Sequence, residues 1–498
     1  MLLLSMSRLH PAIGQNNLGF EHGLSQWIVS GGYKNVHIDT TTAHSGKHCV
    51  RIGEAQAGIF RRFPVAPLSI LEVDCYVRSD RDTVGGHCFV RFYDSKHVRL
   101  LEYRNRFAGT INYQQTGIYT EAPASAAYME SGVEKDSMQH GYLYADDFSV
   151  QSNVGEPRKK HAPMFDLGTY MRPFWHSDTI FNEAVLLYSI DDSMATGRLL
   201  YQPDRVLSVT SYDLKMRYQQ GKDYALNGNI IIRALNSRAP YRADTSFEKK
   251  DLAWYNLQSA WVVVTYTHHD KWNSPVPLYK GDQLPNTTSK LKARTSLTVT
   301  ALGMSITRGM NVSGFDDVPP YMPSYVELFV RQLRKAYHFS SIKFYNAGLP
   351  GATVDWGANY AEKYINPLKP DLVLIDFGMN DFWRLTPDRF KEYVSTIMNK
   401  IRSGNPKVEF ILLSNMKFDP DYILDSDEHK SFYQSNLEGY SRVLEQMQAQ
   451  GAVNLDMYSI SDAIFQIKKA KDCIANPLHP NDYLVRWYAQ GLAALLIE

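Results

Sequence analysis

Ser296-Leu-Thr-Val-Thr-Ala-Leu-Gly-Met-Ser-Ile-Thr-Arg-Gly309 is the stretch whose reading decides the fold. Leu297 to Leu302 is β-branched and apolar, as a strand buried on both faces of a parallel sheet should be. Gly303 permits a tight turn, and Ser305 sits at its tip. A serine just past the carboxyl end of such a strand lies where open α/β sheets place their chemistry.

Downstream of Ser296, strands alternate with amphipathic helices, the pattern of a parallel sheet covered on both faces. Ser324-Tyr-Val-Glu327 is a capping box, and Val326, Phe329, Val330 and Leu333 lie on one helix face after it. Ile342–Tyr345, Asp371–Phe377, Val408–Ser414 and Val453–Met457 read as further strands. Phe390, Val394, Ile397 and Ile401 mark one intervening helix, and Leu437, Tyr440, Leu444 and Met447 another. Two helices close the chain. Five strands suit a flavodoxin-like α/β/α layer over residues 291–498.

The segments at the carboxyl ends of these strands carry the chemistry. Gly303-Met-Ser305, Asn346-Ala-Gly-Leu-Pro-Gly351, Gly378-Met-Asn-Asp381 and Asn476-Pro-Leu-His-Pro-Asn-Asp482 can meet at one carboxyl edge of the sheet. Acyl transfer from a neutral serine needs a base, oxyanion donors and a group that orients the base. His479 can be the base. The Ser305 and Gly351 N–H groups and the Asn380 side chain can be the donors.

In these four blocks the chain resembles the SGNH hydrolases, also called GDSL esterases and lipases, over residues 291–498. The family's serine, glycine, asparagine and histidine fall on Ser305, Gly351, Asn380 and His479. The resemblance implies ester hydrolysis through an acyl-enzyme, without a cofactor in the chemistry. Two positions depart from the pattern. Met304 stands where the family has Asp before the serine, and Asn476 where it has Asp three residues before the histidine. The second matters more, because a carboxylate stabilises the imidazolium and fixes its tautomer. A Ser305–His479 dyad is expected, or a triad weakened at Asn476, with Asn476 or a nearby carbonyl holding the ring. The spacing of Asp472 and Asp482 gives no reason for either to substitute.

The chain has 498 residues, too many for one core, and a net charge of +1. No basic run points to nucleic acid, and no apolar run is long enough to span a membrane. Residues 16–151 show short alternating runs between Gly, Asp and Ser turns, an all-β domain. Its opening Asn17-Leu-Gly-Phe-Glu21 and closing Tyr144-Ala-Asp-Asp-Phe-Ser-Val150 resemble jelly-roll carbohydrate-binding modules. That resemblance implies a structural calcium held by Glu21 and by Asp146 or Asp147, with backbone oxygens near Gly46; solvated turn carboxylates are the plainer reading. Trp27 is either a sugar-stacking residue or part of the core.

Ser152–Pro163 reads as a linker, and residues 164–290 as a middle β-sandwich. In Thr267-His-His-Asp-Lys-Trp272, strand neighbours His268 and His269 face opposite sides and do not share an ion. Three of the four cysteines, Cys49, Cys75 and Cys88, fall within residues 16–151 and allow at most one disulfide there, with free buried thiols the alternative. The resemblances together imply a carbohydrate O-deacetylase acting on an acetylated polysaccharide or oligosaccharide, with Tyr321, Trp356 and Trp383 as sugar platforms or as packing. A lysophospholipase or thioesterase is the alternative enzyme, and a glycan-binding protein with a relict hydrolase domain the alternative of another class. Met1-Leu-Leu-Leu-Ser-Met-Ser-Arg8 reads as a remnant of a secretory signal or an unstructured end. A secreted or periplasmic location is inferred mainly from the substrate. The oligomeric state is left open.

Overall fold

Period-two burial builds the first part of the chain: in Ile70–Ser79, Leu71, Val73, Cys75 and Val77 share one buried face. The computed structural model describes residues 17–31, 33–53, 57–67, 69–81, 84–107, 111–123, 125–136, 140–153, 163–189, 194–243, 260–315, 318–419 and 427–498. Most of the expected linker and the start of the chain lie outside them. The chain divides at residue 159 into two units, each described by itself.

The first unit is a jelly roll of two antiparallel five-stranded sheets. One runs Ile28–Ser30, Gly58–Pro64, Tyr128–Lys135, Gly86–Tyr93, Arg99–Phe107, and the other Val36–Asp39, Cys49–Ile52, Leu143–Asn153, Ile70–Ser79, Gln114–Glu121. Trp27 belongs to the core: its ring packs on Phe20 and Phe148 at 4.8 and 4.7 Å, and its Nε1–H donates to the Asn17 carbonyl. Cys49, Cys75, Cys88 and Cys473 are all free and buried.

In the second unit, strand β1 (Thr179–Leu186) pairs antiparallel with β2 (Trp261–Thr267), and β2 pairs in turn with Arg205–Ser211. The parallel sheet contains β3 (Leu297–Gly303), β4 (Ile342–Gly348), β5 (Leu372–Asp376), β6 (Glu409–Ser414) and β7 (Ala452–Asp456). Their order is β4-β3-β5-β6-β7, with every neighbouring pair parallel. This is the flavodoxin-like order, and its switch point lies between β3 and β5, where a crevice opens at the carboxyl edge. Helix α1 (Ser305–Arg308) comes after β3 and leads to α2 (Tyr325–Ala336), where Ser324 accepts from the Glu327 N–H as its capping pattern predicts. Helices α3 (Val354–Ile365), α4 (Pro387–Gly404) and α5 (Asp427–Gln446) connect the remaining strands.

After β7 come α6 (Met457–Ile467), a small hairpin of β8 (Ile474–Asn476) and β9 (His479–Pro480), and α7 (Asp482–Leu496). Helix α7 is buried almost all round because the middle β region covers it. Its Arg486 donates to the Phe181 and Asn182 carbonyls at 2.7 and 3.0 Å. Trp261 Nε1–H donates to the Lys471 carbonyl, and the Leu186 N–H to Asp472. A fully buried ion pair, Lys468 with Glu183, sits in the same seam. Glu183 also accepts from the Leu200 N–H at 2.8 Å and the Tyr266 hydroxyl at 2.6 Å. Burial works against the Lys468 charge, but Glu183 and Asp472 outweigh it and hold the ammonium above its ordinary value.

Removing one buried partner strands the other, at a cost of about 3–5 kcal/mol, whereas removing both costs far less. Lys468→Met is therefore expected to lower unfolding stability by about that amount in urea titrations, and Glu183→Gln with Lys468→Met by much less than the sum of the single changes. Additive losses would show that the two side chains do not act as a pair.

Candidate active site

The turn that carries Ser305 is held from below. Met304 is extended, Ser305 begins α1, and Gly309 ends it at φ +88°. Thr307 Oγ1 accepts from the Met304 N–H at 3.0 Å and donates to Asp376 at 2.7 Å. Asp376 closes β5 and also accepts from the Tyr325 hydroxyl and the Asn415 amide, each at 2.7 Å. Burial pushes its carboxyl above the usual range, against the pull of these three donors. A Cβ on Gly303 would lie 2.1 Å from Thr307 Oγ1, so the turn requires glycine. Sequence reasoning passed over Asp376, although a carboxylate ending an otherwise apolar strand was the available signal.

His479 stands on the β8–β9 hairpin, and its Nε2 lies 2.7 Å from Ser305 Oγ. The ring is 6% exposed, and burial pushes its pKa down to about 4. Asn476 Oδ1 accepts from the Leu478 and His479 N–H groups, both at 3.1 Å, which turns its amide nitrogen toward the ring. That nitrogen lies 2.8 Å from His479 Nδ1 and donates to Asn311 Oδ1 at 2.8 Å. Asn311 Oδ1 is itself 2.8 Å from Nδ1. Sequence reasoning also missed Asn311. Its residue type carries no signal, and only the fold brings the loop after Gly309 against the hairpin.

Asp472 and Asp482 are turned away from the ring. Asp472 accepts from Leu186 N–H, and Asp482 from the Ser313 N–H and hydroxyl at 2.8 and 2.6 Å. Burial pushes both carboxyls up to about 6.

The two other motif loops fasten to the Ser305 turn. Asn346 donates to the Thr307 carbonyl, and the Leu349 N–H donates to the Gly303 carbonyl. Gly351 is exposed at φ +77°, with open space where a side chain would stand. Asn380 Nδ2 donates to the Ala352 carbonyl at 2.9 Å and lies 3.8 Å from Met304 Sδ. It thus touches the neighbours of both Gly351 and Ser305. Met304, in place of the family's Asp, presents a sulfur to that amide. Asp381 accepts from the Val354 N–H and pairs with Arg384 at 2.8 Å. Of the three aromatic residues, Trp356 packs against Tyr360 and Tyr364 of its own helix, Tyr321 is half-buried, and Trp383 is 57% exposed.

In the first unit, Glu21, Asp146 and Asp147 converge on the 44–48 loop. Glu21 accepts from the Lys47 and His48 N–H groups, and Asp146 from those of His44 and Ser45. Asp147 accepts from the Ser45 hydroxyl and lies 2.7 Å from His44 Nδ1. Burial, with Asp147 beside it, pushes the Asp146 carboxyl up to about 6. Carboxylate oxygens are the donors calcium takes, but here they accept from N–H and hydroxyl groups of the loop. Among the described residues no three His, Cys, Asp or Glu side chains form a metal-holding group. In the second unit His268 stacks on Tyr201 and His269 is solvent-facing, so the two share no ion.

The model of the GDSL-like Lipase/Acylhydrolase family matches residues 301–484. No curated protein matches the sequence. Among solved structures, a two-domain esterase active on acetylated mannans aligns at 22% identity, with 42% of this chain and 52% of that one covered and a TM-score of 0.33. An acetylxylan esterase from Geobacillus stearothermophilus aligns at 17% identity, over 41% of this chain and 96% of that one, with a TM-score of 0.32. The carbohydrate-binding module TmCBM61, in complex with β-1,4-galactotriose, aligns at 17% identity over 29% of this chain and all of that one, with a TM-score of 0.24. The C-terminal unit thus carries an ester-hydrolase domain of the GDSL-like lipase/acylhydrolase family, over residues 301–484.

Proposed function

We propose that the protein is a serine esterase that releases acetate from acetylated polysaccharides or oligosaccharides. The observation that carries the reading is the 2.7 Å contact between Ser305 Oγ and His479 Nε2 at the carboxyl edge of the sheet. His479 takes the Ser305 proton as Oγ attacks the ester carbonyl. The oxyanion is held by the N–H groups of Ser305 and Gly351 and by Asn380 Nδ2. The alcohol leaves with the proton from His479. Water, deprotonated by the same ring, then attacks the acetyl-enzyme, and acetate and free Ser305 result.

Two features support a carbohydrate. The first unit is a jelly roll resembling carbohydrate-binding modules. Trp383 exposes its ring three residues from Asn380, where an aromatic face suits the C–H face of a pyranose. A location outside the cytoplasm, secreted or periplasmic, fits such a substrate. No described helix is long and apolar enough to cross a membrane.

Acetate release from acetylated xylan or mannan and hydrolysis of acetyl and long-chain nitrophenyl esters test this directly. The wild type is expected to prefer acetyl esters. Ser305→Ala should lose on the order of 10⁴-fold or more in kcat/KM, and Asn380→Ala about 10²–10³-fold. Preference for long acyl chains would move the reading to a lysophospholipase or thioesterase. A folded wild type without any hydrolysis would leave a glycan-binding protein with a relict domain.

A calcium ion, in this reading, would draw the Glu21, Asp146 and Asp147 carboxylates together from their present hydrogen bonds to the 44–48 loop and has no part in catalysis. It would tie together the two ends of the first unit and the 44–48 loop. Added calcium is expected to raise the melting temperature of the full chain, and Asp146→Ala to remove that rise. A wild type with the same melting temperature in calcium and in chelator would rule the ion out.

A further inference from the structure

We propose that Asn311 is the positioning residue that sets the tautomer of His479, so that two neutral carboxamides, Asn311 and Asn476, replace the single carboxylate of a Ser-His-Asp arrangement. The inference rests on the serine-esterase reading of the same site. Its geometry is a triangle: Asn311 Oδ1, Asn476 Nδ2 and His479 Nδ1 lie 2.8 Å from one another.

Asn476 cannot turn over. Its Oδ1 accepts from two backbone N–H groups, and a flip would set its NH₂ against both. It therefore presents only donors to the ring and cannot accept a proton from Nδ1. That leaves Asn311 Oδ1 as the acceptor. With the proton on Nδ1, the ring and Asn476 both donate to Asn311 Oδ1, and Nε2 is free to accept from Ser305. With the proton on Nε2, Nδ1 would accept from Asn476 Nδ2, but its lone pair would also face Asn311 Oδ1 at 2.8 Å, and the ring could not act as base. The first arrangement leaves the Asn476 amide nitrogen beside Nδ1 without a bond between them, but it gives Asn311 Oδ1 two donors and is the one acyl transfer needs.

The loop that carries Asn311 is held in place by the segment that carries the base. Asn311 itself is left-handed, at φ +64°. Two residues on, Ser313 donates twice to Asp482, which lies three residues past His479, and Ser313 Oγ accepts from the Met322 N–H. Asp482 thus acts on the ring through the loop and not by its charge.

Charged side chains on the surrounding elements are engaged elsewhere. Arg308 donates to the Asn346 carbonyl, and Lys471 pairs with Asp419. Asp472 and Asp482 accept from Leu186 and Ser313, and Arg486 donates to the β1 carbonyls. Among the described residues, none of these charged groups hydrogen-bonds to the imidazole. A neutral acceptor fixes the tautomer but leaves the imidazolium without a counter-charge, so the base stays neutral well into acid.

The test combines kinetics with ¹⁵N NMR of the full chain labelled at histidine, the His479 signals being assigned by their loss in His479→Ala. In the wild type the neutral ring should carry its proton on Nδ1. Asn311→Ala should shift the population toward the Nε2–H form and lower kcat more than about tenfold with little change in KM. Asn476→Asp places a carboxylate against Nδ1. It should move the acid limb of kcat/KM to higher pH and make a further Asn311→Ala change nearly silent. The inference is overturned by an Nε2–H ring in the wild type, by unchanged kcat and tautomer in Asn311→Ala, or by an acid limb that Asn476→Asp leaves in place. The NMR readout needs no turnover. A wild type that hydrolyses no ester but keeps an Asn311-dependent Nδ1–H ring would sink the esterase reading and leave the tautomer assignment standing.

Discussion

A single 2.7 Å contact between Ser305 Oγ and His479 Nε2 joins residues 174 apart in the chain, and much of the second unit exists to make it possible. The serine is placed by a buried parallel strand, by a glycine that no other residue could replace, and by Thr307 tied to Asp376. The histidine is placed by a two-strand hairpin whose corner is pinned by Asn476 and whose exit is capped by Asn481, which accepts from the Tyr483 and Leu484 N–H groups. Each placement relies on hydrogen bonds made in a dry interior, where an unmade bond costs more than a made one gains.

The electrostatics around this contact are unusual in sign. Carboxylates are plentiful nearby, yet each is spent on structure. Asp376 holds the Ser305 turn, Asp381 ties two motif loops together, Asp472 anchors the middle β region, and Asp482 anchors the loop bearing Asn311. Among the described residues, the imidazole hydrogen-bonds only to neutral groups. Burial therefore acts unopposed on His479 and keeps the ring in the free-base form down to low pH.

Much of this was legible in the sequence, because it depends on local pattern. The strand before Ser305, the capping box at Ser324 and the order of the four motif blocks are short-range features, and the parallel sheet is built from them. The seam between β1 and the C-terminal segment was not legible: Glu183 and Lys468 are 285 residues apart, and nothing in either neighbourhood marks a buried partner. Asn311 was hidden for the same reason. An asparagine two residues past a glycine reads as a turn former, and turn chemistry does account for its left-handed backbone. Its side chain acquires a role only when the fold lays that turn beside the β8–β9 hairpin. The aromatic residues show the opposite limit. Trp356 and Trp383 both stand near motif loops in the sequence, but one packs on its own helix and the other faces solvent, a difference that period and spacing do not encode.

The central claim is that Ser305 is a nucleophile made reactive by a neutral His479. Reaction of the full chain with a fluorophosphonate, which transfers its phosphonyl group to an activated serine with loss of fluoride, tests it most directly when monitored by intact-mass and peptide mass spectrometry. One adduct per chain is predicted, on the peptide containing Ser305, absent in Ser305→Ala and strongly slowed in His479→Ala. A folded chain that takes up no label, or takes it up elsewhere, would contradict the claim.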